Sequence, residues 1–437
     1  MTLPILLLLL LLAGIGVPLF AVMGLGALLS FVRDGIAPSA VISEMARLAS
    51  SPVLVSIPLF AFAGYLFAEG GTARRLVRLS QAALGWMPGG LAIVALLTCS
   101  VLTAFTGASG VTIVAAGGLL MPALLAERYS QRFSLGLLTT SGSLGLLFPP
   151  SLPLIIYSYV AMSAAGGLSL DPADAPTVDR LFLAGILPGI FLVAALSLLS
   201  IREGMRPEIV RTRFSWGNLW PALGNAAFEL PLPILVLGGI YGGVLTVLEA
   251  ASVTAIYALI SQVLIYRDVP FRRVPYIAAE SMTLVGGILI ILGSALGLTN
   301  YLIDAQVPLR LLEWVRDVID SRIVFLLVLN IFLLIVGCLM DIFSALIVVV
   351  PLIVPLAQQY DVNLVHLGII FLTNLEIGYS TPPVGLNLFI SSFRFRRPVV
   401  EVYGASVPWI LIMLAALLVI TYLPDLSLVL LRLVPVQ

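Results

Sequence analysis

Charged residues, histidine and cysteine are scarce in this 437-residue sequence. Asp, Glu, Lys and Arg make up 10% of the chain, whereas soluble globular domains contain about 25%. The 22 basic and 22 acidic residues cancel, so net charge gives no basis for nucleic-acid binding. One histidine and two cysteines leave no disulfide framework and no His/Cys metal cluster. These absences exclude a soluble globular domain, and we predict no nucleic-acid partner.

The sequence also lacks the motifs of enzyme chemistry. It contains no nucleophile–base arrangement, no phosphate-binding loop and no metal-binding motif. The single histidine, His366, follows a short polar loop and is expected to be structural. We therefore predict a protein without enzymatic activity and without a cofactor.

Apolar residues, glycine and proline are abundant instead. The chain is 60% hydrophobic, and several apolar runs exceed the roughly 20 residues that cross a hydrocarbon core. The 38 glycines and 28 prolines indicate helices that are broken or closely packed. The N-terminal run lacks a basic flank and a small-residue cleavage site, so we expect it to be retained as a span. The sequence predicts an all-α polytopic membrane protein embedded in a lipid bilayer.

Apolar spans alternate with amphipathic segments along the chain. Arg74, Arg75 and Arg78 precede Trp86, which indicates a helix at the membrane surface with the arginines as anchors. The predicted spans are 3–32, 52–69, 89–104, 181–200, 229–266, 322–336 and 405–432, and the predicted interfacial segments are 33–50, 70–86 and 303–320. The run 229–266 could cross once or twice, and we adopt a single crossing.

The first of two unusual stretches combines a predicted helical hairpin, about 105–126, with a predicted broken helix, about 133–160. Two consecutive prolines cannot donate backbone hydrogen bonds, and the residue before each proline avoids the α region. Unpaired backbone at membrane depth is costly unless it lines an enclosed cavity, so the break is a candidate site. The candidate residues are Gly107, Ala108, Ser109, Gly110, Thr112, Ser141, Gly142, Ser143, Gly145, Pro149 and Pro150.

The second stretch has the same order: a predicted hairpin, about 337–358, and a predicted broken helix, about 366–393. Asp341 is a charged residue within an apolar segment, which marks it as a functional candidate. It could support an ion site or cap a hairpin helix, and we favour the ion site. The candidate residues are Gly337, Met340, Asp341, Asn374, Gly378, Thr381, Pro382, Pro383 and Gly385.

The two stretches indicate an internal repeat. The pairs Pro149–Pro150 and Pro382–Pro383 are 233 positions apart, as are Gly145 and Gly378. Fixed-period similarity is typical of duplicated architecture. Arginines in 201–228 predict a cytoplasmic linker by the positive-inside rule. We expect a first repeat over 1–200 and a second over 229–437, in opposite orientations.

Inverted repeats with broken helices place substrate and ion sites where the copies meet. The candidate ligands are hydroxyl, amide, carboxylate and carbonyl oxygens, which suit a hard monovalent cation better than a transition metal. We predict Na⁺ at the hairpin tips and breaks, with Ser109, Ser141, Asp341 and Thr381 as ligands. For Glu249 we favour a structural role over an ion pair within the membrane.

These motifs resemble those of a known family, the large membrane subunits of TRAP (tripartite ATP-independent periplasmic) transporters. The segments 138–157 and 374–388 resemble the family's two broken helices, and 337–341 resembles its second hairpin. Gly107-Ala108-Ser109 resembles a first tip that usually reads Gly-Ser-Ser. The segment 243–259 resembles one that usually contains Thr-Pro-Thr-Glu-Ala-Ala, with Val247 and Leu248 in place of Pro-Thr.

The resemblance implies a Na⁺-coupled secondary transporter in the inner (cytoplasmic) membrane of a bacterium or archaeon. It implies import of organic acids such as C4-dicarboxylates or sialic acid, by elevator-type movement of a transport domain against a scaffold. It also implies two partners, a small four-helix membrane subunit and a periplasmic substrate-binding protein. A stand-alone ion–carboxylate symporter and a channel remain as alternatives.

Overall fold

The computed structural model describes residues 3–49, 51–165, 174–210, 213–306 and 319–433. Within these ranges the chain forms helices and no strand. The helices are α1 Leu3–Gly14, α2 Leu19–Arg33, α3 Ser39–Ala49, α4 Pro52–Glu69, α5 Thr72–Leu84, α6 Gly90–Thr106, α7 Ser109–Ala126, α8 Gln131–Ser141, α9 Leu152–Ala165, α10 Val178–Gly204, α11 Trp216–Asn225, α12 Pro231–Tyr241, α13 Val247–Leu259, α14 Val274–Asp304, α15 Arg322–Leu339, α16 Ile342–Gln359, α17 Leu364–Gly378, α18 Leu386–Phe395, α19 Val399–Tyr422 and α20 Asp425–Leu433.

Many of these helices are long enough to span a membrane. In the described residues, 8 helices are long and apolar enough to cross a membrane. A further span is bent by 47° where Gln131–Leu147 meets Leu152–Ala165. The prediction of an all-α polytopic membrane protein is confirmed.

Two predicted spans have different bounds from those predicted, because each contains a helix break. The segment 3–32 forms α1 and α2, separated by Gly16 with φ +84° and by Pro18. A left-handed glycine ends a helix, and a proline begins the next one because it has no N–H to leave unpaired. The segment 405–432 likewise forms α19 and α20, which are separated at Leu423 and Pro424.

The region before the second hairpin holds more helices than predicted. The run 229–266 contains the short α12 and then α13, which continues as a π-helix over Ile260–Ile265. By length, Val247–Ile265 can cross a membrane. The 31-residue α14 follows, in a region to which we assigned no element. Residues 307–318, most of the interfacial segment predicted at 303–320, lie outside the described residues.

Both hairpins turn at a different place from the one predicted. The ranges 105–126 and 337–358 were expected to fold back internally, yet α7 and α16 are continuous 18-residue helices. The turns lie at 107–108 and 340–341, so α7 follows α6 and packs on it, whereas α16 follows α15 with little contact beyond the turn. The glycines of α7 do not break the helix; they provide space for α18. A Cβ at Gly110 would lie 2.7 Å from Ile390, and one at Gly117 would lie 2.8 Å from Phe395.

The amphipathic helix α5 is attached to the helices around it by a buried ion-pair network, which we call the arm network. Arg75 Nε lies 2.6 Å from Glu229 Oε1, and Arg75 Nη1 lies 2.5 Å from Asp268 Oδ2. Its guanidinium also donates to Gln262 at 3.0 Å and stacks 3.6 Å above the Tyr266 ring. The side chain of Arg75 is 11% exposed, so the prediction that it is an interfacial anchor is wrong.

The carboxyl group of Glu127, at the end of α7, should make the stability of the folded chain depend on pH. Burial raises the pKa of Glu127 from its ordinary 4.5 to about 7, and a hydrogen bond from Gln81 lowers it in part. Between these pH values the folded chain binds more protons than the unfolded chain, so stability falls as the pH rises. We expect the apparent melting temperature to fall between pH 5 and pH 8, and Glu127→Gln to reduce that fall. Equal pH dependence of the wild type and Glu127→Gln in thermal unfolding would contradict this assignment.

Candidate functional site

The two breaks lie against each other inside the protein. Ser143 Oγ donates to the backbone carbonyl of Glu376 at 3.2 Å, across a separation of 233 positions. The two proline pairs have the same separation in the sequence. Ser143 and Glu376 are fully buried. The breaks therefore contact each other at equivalent positions of the predicted repeat.

In the first stretch, the hairpin tip is bonded to the break. Thr103 Oγ1 lies 2.6 Å from Thr112 Oγ1 and 2.7 Å from the carbonyl oxygen of Gly142. One hydroxyl can accept from Thr112 while it donates to Gly142. Gly107 ends α6 in the left-handed region at φ +63°, and Ala108 precedes α7 in an extended conformation. The start of α7, with the buried Ser109, is thereby held beside the first break.

Two glycines allow the broken helices to approach the hairpins at backbone distance. A Cβ at Gly145 would lie 2.2 Å from the carbonyl oxygen of Ser100 and 2.4 Å from the amide nitrogen of Ala104. A Cβ at Gly378 would lie 2.7 Å from the Cα of Gly337. Ala104 and Gly337 are also 233 positions apart. The sequence-predicted residues Gly145, Gly337 and Gly378 thus make the same kind of contact in both stretches.

In the second stretch, Asp341 is a helix cap. Its Oδ1 accepts from the amides of Phe343 and Ser344, both at 3.0 Å, and the side chain is exposed. The amide of Ile342 donates to the Tyr379 hydroxyl, and the amide of Gly385 donates to the Cys338 carbonyl at 3.0 Å. The structure thus shows the capping role of Asp341 that we had not favoured. A contribution to an ion site stays a prediction.

The breaks differ in exposure. Pro149 and Pro150 are buried in the first break, whereas Pro382 and Pro383 are exposed in the second. Met340, at the second hairpin tip, is partly buried. The candidate site therefore reaches the protein surface on the side of the second break.

Several buried polar atoms around the second break have no hydrogen-bond partner in the described part of the chain. They are Asn374 Oδ1, both carboxylate oxygens of Glu376, Ser380 Oγ, and Oδ1 and Nδ2 of Asn387. The backbone amides of Leu146 and Leu147 lie near the Glu376 carboxyl group, but neither forms a hydrogen bond of good geometry with it. Buried polar groups without partners carry a desolvation cost, which a bound cation would offset at these oxygens.

Two predicted hydroxyl ligands face their own helices. Thr381 Oγ1 donates to the Ile377 carbonyl at 2.8 Å, and Ser141 Oγ lies 3.5 Å from the Leu138 carbonyl. A hydroxyl that donates keeps its lone pairs for a cation. Glu249 forms a capping box with Thr246 at the start of α13, which is a local structural role.

Our sequence analysis missed the residue that holds Asn374 in place. The Asn374 amide donates to Asn330 Oδ1 at 2.8 Å, and Asn330 Nδ2 lies 3.0 Å from Thr421 Oγ1. His366 Nε2 lies 3.2 Å from the Thr421 carbonyl, which supports a structural role for the histidine. Asn330 is an amide within an apolar span, and that signal could have identified it.

Comparison with known proteins gives consistent matches over most of the chain. The family profile described as "Tripartite ATP-independent periplasmic transporter, DctM component" matches residues 4–426. The C4-dicarboxylate TRAP transporter large permease protein DctM of Rhodobacter capsulatus is 34% identical over 380 residues, with 86% of each chain covered. The isethionate TRAP transporter permease protein DctMQ of Oleidesulfovibrio alaskensis is 32% identical, with 94% of this chain and 63% of the relative covered.

A solved structure shares the architecture. The crystal structure of the Alcanivorax borkumensis YdaH transporter matches with a TM-score of 0.63. The match covers 90% of this chain and 89% of YdaH, at 14% sequence identity. At this low sequence identity, the structural similarity shows that the two proteins share a fold.

Proposed function

Because the chain belongs to the DctM component family of the tripartite ATP-independent periplasmic transporters, we propose that it couples organic-acid import to Na⁺ entry. It is a large permease subunit in the inner membrane, as its relatives and its spans show. The two relatives described above are named for C4-dicarboxylate and isethionate, both organic anions. A carboxylate-type substrate is the corresponding proposal for this chain.

The observation that carries Na⁺ coupling is the set of buried oxygens at the second break. Asn374, Glu376 and Ser380 each present an oxygen without a hydrogen-bond partner among the described residues. Oxygen ligands suit a hard cation. In the described residues no group of three or more His, Cys, Asp or Glu side chains could hold a metal. Ser109, Ser141, Asp341 and Thr381 remain the proposed ligands, and we add Glu376.

Helix N-termini at the hairpin tips and breaks support an anionic substrate. Neither α7 nor α18 has a side-chain cap at its first turn. The helix dipole attracts anions at such positions, while in α18 the amides of Asn387 and Leu388 already donate to the carbonyls of Tyr379 and Gly385. A substrate carboxylate bound there would lie near the cation, and each would favour binding of the other.

Elevator-type movement is supported by contacts between the hairpins and the breaks. The bonds Thr103–Gly142, Ser143–Glu376 and Gly385–Cys338 join both hairpins and both breaks into one body. The helix α4 packs most extensively on α13 and also contacts α14, and it meets the first hairpin at α6, where a Cβ at Gly64 would lie 2.1 Å from the Phe105 carbonyl oxygen. We assign the joined body to the transport domain and α4, α13 and α14 to the scaffold.

The proposed partners are a small membrane subunit and a periplasmic substrate-binding protein. The relative named DctMQ is longer than this chain, which covers 63% of it. That difference in length supports a second component in the complete transporter.

Uptake into proteoliposomes tests the proposal. The complete transporter with its binding protein is expected to accumulate a labelled carboxylate only when an inward Na⁺ gradient is present. Uptake driven by ATP without a Na⁺ gradient would contradict the proposal. Na⁺-driven uptake without a binding protein would favour a stand-alone symporter, and unitary currents in planar bilayers would favour a channel.

Variants of the proposed ligands separate ion binding from folding. Loss of one charge-assisted contact costs about 1.5–3 kcal/mol, so Ser109→Ala, Thr381→Ala and Glu376→Gln should raise the half-maximal Na⁺ concentration about tenfold or more. Asp341→Asn keeps a capping oxygen but removes the charge, whereas Asp341→Ala removes both. Impaired Na⁺ dependence in Asp341→Asn supports an ion role, and impaired folding in Asp341→Ala alone supports the cap.

A further inference from the structure

A cavity of about 330 Å³ lies between α5 and α11, apart from the two breaks. Arg78 and Gln81 from α5 line one wall. Arg213, Ser215 and Asn218, at the start of α11, line the other wall. Two guanidinium groups and several neutral hydrogen-bonding groups thus face one space.

The cavity lining carries two positive charges, and one carboxylate adjoins it, since Glu127 accepts from the lining residue Gln81 at 3.2 Å. Arg78 and Arg213 are exposed, and neither forms an ion pair within the described ranges. The lining residues include no Asp or Glu. Guanidinium groups bind phosphate through paired N–H donors, so this combination of groups favours a phosphate ligand.

The helix that forms one wall also presents an aromatic surface. Trp216 and Trp220 are 62% and 67% exposed, and their rings stack with centroids 6.4 Å apart. Trp side chains at a helix surface next to basic residues are typical of the headgroup region of a bilayer. The Arg-rich segment that contains α11 is predicted to be cytoplasmic, and the cytoplasmic leaflet carries anionic lipids.

We propose that the cavity between α5 and α11 binds the phosphate headgroup of an anionic phospholipid. Arg78 and Arg213 contact the phosphate, Gln81 and Asn218 bind the polar headgroup, and the two tryptophans contact the glycerol and upper acyl region. The site adjoins the arm network because Asn225 lines the cavity and its carbonyl accepts from the Tyr266 hydroxyl at 2.8 Å. A bound lipid therefore holds α11 against α5.

Native mass spectrometry of the full-length chain in detergent tests this site. The ligands are phosphatidylglycerol, phosphatidylcholine and inorganic phosphate. Each basic residue at a membrane surface contributes about 1 kcal/mol to anionic lipid binding. We therefore expect Arg78→Gln with Arg213→Gln to weaken phosphatidylglycerol binding about thirtyfold. Arg74→Gln is the matched control, because Arg74 is exposed on α5 but does not line the cavity.

The proposal is overturned if the double variant binds phosphatidylglycerol as tightly as Arg74→Gln does. It is also overturned if inorganic phosphate competes with the lipid at equal concentration, because the site would then belong to a free anion. If the double variant does not fold, lipid binding by the wild-type protein tests the proposal instead. It must bind phosphatidylglycerol more tightly than phosphatidylcholine, and added salt must weaken that preference; equal binding of both lipids rejects the site.

Discussion

Gly378→Ala is expected to reduce uptake at least about tenfold. The new Cβ would lie 2.6 Å from the carbonyl carbon of Gly337 and 3.0 Å from the amide nitrogen of Cys338. These are backbone atoms, so no side-chain rotation can relieve the clash. Overpacking of this kind costs about 1–3 kcal/mol or more, and a tenfold change corresponds to about 1.4 kcal/mol. The second break would separate from its hairpin, and the candidate site would lose its geometry.

A methyl group added where there is space provides the control. Gly238 lies in α12, and a Cβ there would meet no atom within 4 Å. Gly238→Ala should leave uptake unchanged and, by helix propensity, should stabilise the fold by up to about 1 kcal/mol. Uptake should be measured together with the yield of folded protein in size-exclusion chromatography. Normal uptake by Gly378→Ala would show that this backbone contact is not required.

Arg75→Leu is expected to destabilise the protein by about 3–5 kcal/mol, because it leaves a buried carboxylate without its partner. The Glu229 side chain is 4% exposed and would lose the guanidinium that pairs with it. The same substitution also removes the contacts with Asp268, Gln262 and the Tyr266 ring. Thermal unfolding of the purified chain measures the loss.

The control for this prediction is Arg74→Leu. Arg74 is the exposed neighbour on the same helix, and exposed substitutions usually change stability by less than about 0.5 kcal/mol. The double variant Arg75→Leu with Glu229→Gln should recover part of the stability, since it no longer buries an unpaired charge. Equal melting temperatures for Arg75→Leu and Arg74→Leu would show that the arm network does not stabilise the fold.

The breaks were predictable because their cause is local. Proline has no backbone N–H whatever surrounds it, so Pro149–Pro150 and Pro382–Pro383 located both interruptions. The predicted positions of the hairpin turns were wrong. The glycines of α7 pack against α18, and a contact between residues so distant in sequence leaves no local signal. The helix α14 was missed although its apolar length identifies it.

The arm network could not have been predicted in the same way. The partners of Arg75 lie at positions 229, 262, 266 and 268, more than 150 residues further along the chain. A sequence pattern shows three arginines on one amphipathic helix and does not show which of them is buried. The role of Asp341 was ambiguous for a related reason. A carboxylate at the start of a helix satisfies both the capping rule and the ion-ligand rule, and only its two bonds to backbone amides distinguish them.

The contact between Ser143 and Glu376 has a consequence for the predicted internal repeat. In a dimer of two identical chains related by a twofold axis, a position that meets its own equivalent lies on the axis and carries the same residue twice. Two glutamates there would repel each other in a low-dielectric interior, and two serines would provide no charge. A single chain is free of that constraint, and this one places one carboxylate and one hydroxyl at positions 233 apart. Joining two such copies in one chain therefore permits a single carboxyl side chain where the two predicted repeats meet.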